Sequence, residues 1–305
     1  MLQRIRNAKY SATQTLGLLV AMALGVTFVV HAGALIVPHT FVPGDTARAN
    51  EVNENFAMLS NTIAQLQSDL AALQTQVDTF GQFITIDNNA INGLAGPHFI
   101  IEGANVHIRS GSGFTDDGGT PSGLGNLVIG YDEESSSAAA DDRLGAHNIV
   151  LGRGNKFTSF GGVVAGEENT ISGPFASVLG GANSVASGLR STISGGAFHQ
   201  ASGEESSVSG GVSNFATAQR SSASGGAQNT VSGIAASITG GSGGAAGGFA
   251  SSISGGQGGI ASGNQSSVCG GTNGSAFGVA STIGGGFGQS VTNNNDWRAC
   301  DLTCP

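Results

Sequence analysis

The chain has 305 residues, 52 of them Gly, with one Trp, two Tyr and a formal net charge of −9. So few large side chains exclude the broad aromatic and aliphatic core of a globular enzyme of this length. Lys9 and Lys156 are the only lysines; the basic footprint of a nucleic-acid-binding protein is missing, and no nucleic-acid partner is expected.

Residues 1–34 read as an export signal. Arg4, Arg6 and Lys9 form a positive start, Leu16 to Val30 an apolar run of fifteen, and Ala32-Gly33-Ala34 a small-x-small cleavage pattern. Apolar character resumes at Leu35-Ile36-Val37, so an uncleaved anchor is the alternative. A run of that length falls short of the ~20 residues that span a bilayer. Either reading places the bulk of the chain outside the cytoplasm, as an extracellular or cell-surface protein. Residues 35–49 follow as a linker.

Residues 50–82 change character. Val52, Phe56, Leu59, Ile63, Leu66, Leu70, Leu73, Val77 and Phe80 alternate spacings of four and three, the a/d pattern of a coiled-coil stalk. Asp45 or Asn50 is placed to cap the helix. At ~1.5 Å per residue such a stalk is roughly 45 Å long. Its flanking positions are mostly Ser, Asn, Gln and Thr, so salt bridges contribute little to partner choice. The a and d residues alone do not separate two strands from three.

Residues 83–125 form a connecting region with short strands at Phe83–Ile86, Phe99–Ile101 and Asn105–Ile108, then a Gly/Asp/Ser loop over 111–125. Residues 126–293 hold the repeat. A first motif, Asn126-Leu127-Val128-Ile129-Gly130, is followed by an acidic insertion from Tyr131 to Ala146 and a second motif, Asn148-Ile149-Val150-Leu151-Gly152. From Gly180 a Gly-Gly pair recurs every fifteen residues, at Gly180, Gly195, Gly210, Gly225, Gly240, Gly255, Gly270 and Gly285. A fixed period of this kind predicts a stacked solenoid in which each coil buries its apolar side against its neighbours.

Counting Ser252 as position one of a coil, position two is Val178, Ile193, Val208, Ala223, Ile238, Ile253, Val268 and Ile283. Position ten is Ala186, Ala201, Ala216, Val231, Ala246, Ala261, Ala276 and Val291. These columns are predicted to point inward from two short strands per coil, with position four also inward. Glycines at positions five and twelve are predicted to make the turns, where positive φ suits a residue without a Cβ. A disordered Gly/Ser linker would keep no such apolar columns. Coils stacked about 4.8 Å apart make a thin rod, which favours packing against copies of itself. Residues 294–305 are a tail. Cys269 lies in a coil, and Cys300 and Cys304 at the C-terminus; an odd count leaves a free thiol or an interchain bridge open.

The pattern Ser-Val/Ile-x-Gly-Gly-x-x-x-x-Ala-x-Gly resembles the head repeats of trimeric autotransporter adhesins, the YadA-like head family, whose coil is Ser-Val-Ala-Ile-Gly-x-x-Ala-x-Ala-x-Gly. Asn148-Ile149-Val150-Leu151-Gly152 is the nearest local match. The resemblance covers about residues 126–293. It implies an all-β solenoid, a left-handed parallel β-roll or β-helix of 14–15-residue coils, here preceded by an α-helical coiled coil. It also implies three chains per head and adhesion to extracellular matrix or cell-surface molecules. Most coils have Gly where the family has Ile. The family's C-terminal membrane barrel segment has no counterpart in Trp297 to Pro305, and the coiled coil lies before the head. Phage-fibre-like proteins also join a short coiled coil to a β-solenoid.

No catalytic, cofactor-binding or metal-binding residue is assigned. Gly240-Gly241-Ser242-Gly243-Gly244 matches a nucleophile-elbow pattern by composition alone. The histidines at 31, 39, 98, 107, 147 and 199 are scattered, and the glycine repeats lack the recurring Asp of calcium-binding arrays. Asp116-Asp117, Asp132-Glu133-Glu134 and Asp141-Asp142 are loop carboxylates. Glu167-Glu168 and Glu204-Glu205 are the carboxylate pairs on the coils; a glycan-cleaving site would need such groups clustered. The expected function is that of an exported structural or adhesive surface protein without enzymatic activity, associating with itself as a homotrimer. The alternative is a phage-fibre-like solenoid, or one that binds ice or a small ligand through its columns of Ser and Thr.

Overall fold

The structure is a computed structural model that describes residues 37–134 and 142–299. The expected signal at 1–34, the start of the linker, Asp141, and Cys300 and Cys304 lie outside the described residues. Among the described residues no helix is long and apolar enough to cross a membrane. The chain falls into two compact units, one up to Asn105 and one from Val106 onward.

In the first unit one helix, α1 (Ala49–Gly81), takes up the heptad stretch. Neither Asp45 nor Asn50 caps it. The N-cap is Arg48, whose backbone N–H donates to the Glu51 carboxylate at 3.4 Å, while Asp45 accepts from the Val42 N–H at 3.4 Å. On the polar face Gln65 donates to Asp69 and Gln74 to Asp78, both at 2.9 Å, local pairs one turn apart that support an isolated helix only slightly. Among the described residues nothing covers most of the apolar seam: Ile63, Leu66 and Leu70 are 47, 62 and 65% exposed, and no residue of the helix is buried. Its N-terminal layers have neighbours. Val37 and Phe41 lie beside Val52, Phe56 and Leu59, held there by Asn55, which accepts from the His39 N–H (2.9 Å) and donates to the His39 carbonyl (2.7 Å).

After the helix, β1 (Ile84–Asp87) and β2 (His98–Ile101) form an antiparallel pair. These are the first two expected strands. Ile86, Phe99 and Ile101 remain exposed. The third expected strand, Asn105–Ile108, is irregular backbone, because no neighbouring strand offers its N–H and C=O groups a ladder.

The second unit is a parallel β-solenoid of about ten coils. Its first strands are β3 (Leu127–Ile129), β4 (Ile149–Arg153), β5 (Lys156–Phe157), β6 (Val163–Glu167), β7 (Thr170–Ile171) and β8 (Ser177–Val178). Beyond β8 each coil contributes two strands of two residues. Successive strands alternate between a twelve-stranded and a ten-stranded sheet, with rungs in register at an offset of fifteen, as Thr192 on Ser207 and Gln200 on Phe215. A third ladder of single bridges runs from Glu167 through Ala182, Ala197 and Val212 to Phe287.

Both expected inward columns are buried from Val178 to Ile283 and from Ala186 to Val291. In one coil their volumes compensate: where position two shrinks to Ala223, position ten grows to Val231. Position four differs from the expectation. A Cβ added at Gly195, Gly210 or Gly255 meets nothing within 4 Å, so this glycine is not inside. It is the fifteenth residue itself. In the fourteen-residue coils β4 and β6 pair over five residues, from Ile149 on Val163 to Arg153 on Glu167. From Gly180 on, the extra glycine bulges between a two-residue strand and the bridge that follows it, cutting that strand in two.

The turns also differ. Position five is left-handed as expected (Gly181, φ 86°), but Gly188 and its equivalents at position twelve are not. A Cβ on Gly188 would run into the Gly203 carbonyl of the next rung, so this glycine serves close backbone approach. The other left-handed corners fall at positions seven and fourteen, on Asn183, Phe198, Arg190, Glu205 and Arg220. Their peptides point backwards: Phe198 N–H donates to Ala182 O and Arg190 N–H to Pro174 O, on the preceding rung, whereas strand N–H groups reach the following one. That bond offsets the cost of positive φ in a residue with a side chain.

Candidate functional site

Two polar columns line the interior beside the aliphatic ones. At position eight Asn155, Asn169, Ser184, His199, Asn214 and Asn229 stack, all buried. Each Asn there ties rungs together. Asn214 Nδ2 donates to Gly210 O (2.9 Å) and Gly226 O (3.0 Å), and its Oδ1 accepts from the Asn229 N–H (3.1 Å). Asn155, Asn169 and Asn229 repeat the arrangement. Beyond Asn229 the column turns to Gly244 and Gly259, and Ile238 and Ile253 reach into the space left.

His199 is the weak member. Its Nδ1 accepts from the Asn214 N–H (3.1 Å), while its buried Nε2 faces the Gly211 carbonyl without a well-formed bond. Burial pushes this imidazole below its ordinary value. At position fifteen lies a second buried column, with Ser191, Ser206, Ser251 and Ser266 hydroxyls that have no partner among the described residues. Sequence reasoning missed both columns; the recurrence of Asn155, Asn169, Asn214 and Asn229 was the available signal.

The outward Ser/Thr columns are where they were expected. Position one, half-buried, carries hydroxyls that reach one another along the stack, Ser207 to Ser222 and Ser252 to Ser267, each at 3.2 Å. Position three, with Ser194, Ser209, Ser224, Thr239 and Ser254, is exposed. Cys269 continues it as a free, exposed thiol.

The coil carboxylates do not converge. Glu167 pairs with Arg153 on the bridge ladder. Glu205, at position fourteen, sits between Arg190 (3.4 Å) and Arg220 (3.0 Å), while Glu204 accepts from Gln219 at 3.1 Å. Ser242, in the elbow-like glycine run, belongs to the bridge ladder between Ala227 and Gln257. Among the described residues no group of three or more His, Cys, Asp or Glu is placed to hold a metal ion.

In the loop before the first coil, Ser, Asp and His side chains meet. Asp117 accepts from Ser112 Oγ (2.7 Å), Ser122 Oγ (2.6 Å), the Ser122 N–H (2.8 Å) and Ser110 Oγ. These donors, Ser110 first, hold its carboxyl far below the usual carboxylate range. His147 Nδ1 donates to Thr115 O (2.9 Å) and its Nε2 accepts from the Ser110 N–H (3.1 Å). Nucleophilic catalysis needs the serine hydroxyl on the imidazole. Here the hydroxyl goes to the carboxylate and both ring nitrogens are taken by backbone, so the cluster folds the loop onto the head of the solenoid. The insertion is tied down nearby: Arg143 reaches Asp132 (3.5 Å) and Glu133 O (2.6 Å), and Asp142 pairs with Lys156 at 2.9 Å. Burial pushes the Asp132 carboxyl up, against the opposing effect of Arg143.

No protein-family model matches this chain, and no curated protein matches it.

Proposed function

We propose that this is an exported structural or adhesive surface protein without catalytic activity, acting as a homotrimer in which α1 forms a coiled-coil stalk and the solenoid, wound left-handed, the head. The observation that carries the reading is the uncovered seam of α1. A lone helix of this kind is marginal in water, and a two-stranded hairpin is too. Exposed apolar side chains on both, from Phe56 to Val77 and at Ile86, Phe99 and Ile101, are accounted for if copies of the chain cover them. The solenoid supports the same reading: a slender core, and columns of short side chains that offer a repetitive contact surface to matrix or to other cells.

Beads coated with the exported chain test this. They should adhere to matrix-coated or cell-coated surfaces, and the same beads carrying a stalk-broken variant should adhere less. Equal adhesion by coated and bare beads would remove the adhesive role. The regular hydroxyl rows at positions one and three favour one second reading, an ice-binding face, which predicts thermal hysteresis; its absence would dispose of that alternative.

A further inference from the structure

The loop from His107 to Thr115 and the ring of His147 line an open-sided cavity of about 440 Å³, a volume typical of small-molecule sites. Its lining holds one permanent cation and no carboxylate. Arg109 lines it and, among the described residues, has no carboxylate partner. Asp117 lies behind that lining: its side chain is 1% exposed, and three serine hydroxyls are turned onto its oxygens. His147, with both ring nitrogens engaged, is a fixed wall. Phe114, 69% exposed, shares the lining and offers an apolar platform. Gly111 and Gly113 are both left-handed (φ 95° and 90°). Among the described residues their N–H groups have no intramolecular acceptor, which leaves them for a ligand's oxygens.

We propose that this cavity binds a carboxylate-bearing sugar residue, a uronic or sialic acid at the end of a glycan. Arg109 supplies the forked donor that a carboxylate fits, and Phe114 takes the apolar face of the ring. One guanidinium with no lysine nearby is too little charge for nucleic acid or a heavily phosphorylated partner. The site lies within one chain and takes only His147 from the repeat, so it stands whether or not the chain oligomerises or adheres through its coils.

The test is calorimetric titration of the full chain with N-acetylneuraminic acid and glucuronic acid, beside glucose and the methyl ester of glucuronic acid. One of the acids should bind, and glucose and the ester about tenfold or more weaker, the loss expected when a charge-assisted pair is removed. Arg109→Gln should weaken the acid by the same factor and Phe114→Ala by several-fold, while Arg190→Gln, on a distant edge, changes nothing. The ester comparison uses the unaltered chain, so it decides the matter even where a loop variant fails to fold. Absence of binding by either acid, equal binding of the ester, or unchanged affinity in folded Arg109→Gln overturns the proposal. Competition by inorganic phosphate at equal concentration overturns the sugar assignment, leaving a simple oxyanion site.

Discussion

The two buried polar columns of the solenoid should respond to mutation with opposite sign. Asn214→Ala removes three hydrogen bonds, to Gly210 O, to Gly226 O and from the Asn229 N–H, and strands the partners in the interior. At about 1 kcal/mol net for each bond, the loss is roughly 3 kcal/mol. Ser206→Ala removes a buried hydroxyl that has no partner. Alanine already occupies this column at Ala176 and Ala236, so the change should be neutral or stabilising by up to ~1 kcal/mol. Urea unfolding of the full chain gives the midpoint shift. A stacked array opens locally, so exchange of the Asn229 amide is followed as well; it should accelerate in Asn214→Ala and stay protected in Ser206→Ala. Equal destabilisation by both, or a loss below ~1 kcal/mol in Asn214→Ala, would refute the division of roles.

Two glycines of neighbouring coils should behave differently. Gly203→Ala drives a Cβ into the Ala218 carbonyl and should cost several kcal/mol or prevent folding, whereas Gly210→Ala enters open space at ordinary φ and should stabilise by about 0.5 kcal/mol; thermal melts compare them. His199→Asn should raise the melting temperature by restoring the amide bonds its neighbours make. The same variant should flatten the pH profile. Because burial lowers the His199 value in the folded chain from an ordinary 6.5, the unfolded chain binds the extra proton, and stability is present above 6.5 and falls as pH drops below it. A wild-type melt independent of pH between 7 and 5 would contradict that assignment. Leu66→Asn with Leu70→Asn, both on the open seam, should dissociate the assembly while leaving the β signal of the solenoid in circular dichroism unchanged.

Much of this architecture was legible in the residues because the repeat is written in side chains. The Val/Ile and Ala columns gave both sheets, and the heptad spacing gave α1 to within a residue. The turns were less legible. Glycine at position twelve suggested positive φ, but its role is steric, and the left-handed corners fell on Arg190, Glu205 and Phe198, whose types carry no such signal. The interior polar column was hidden because Ser184 and His199 interrupt its asparagines. The Arg109 cavity was not readable at all: it depends on Asp117 being turned away by serines up to seven residues distant, and on His147 closing the loop from 37 residues further along.

Sedimentation equilibrium of the chain from residue 35 onward tests most directly whether that apolar seam meets copies of itself. The account predicts the mass of three chains, collapsing to one when Leu66 and Leu70 are replaced by asparagine. A single-chain mass for the unaltered protein, even at the highest concentration that can be loaded, would contradict it.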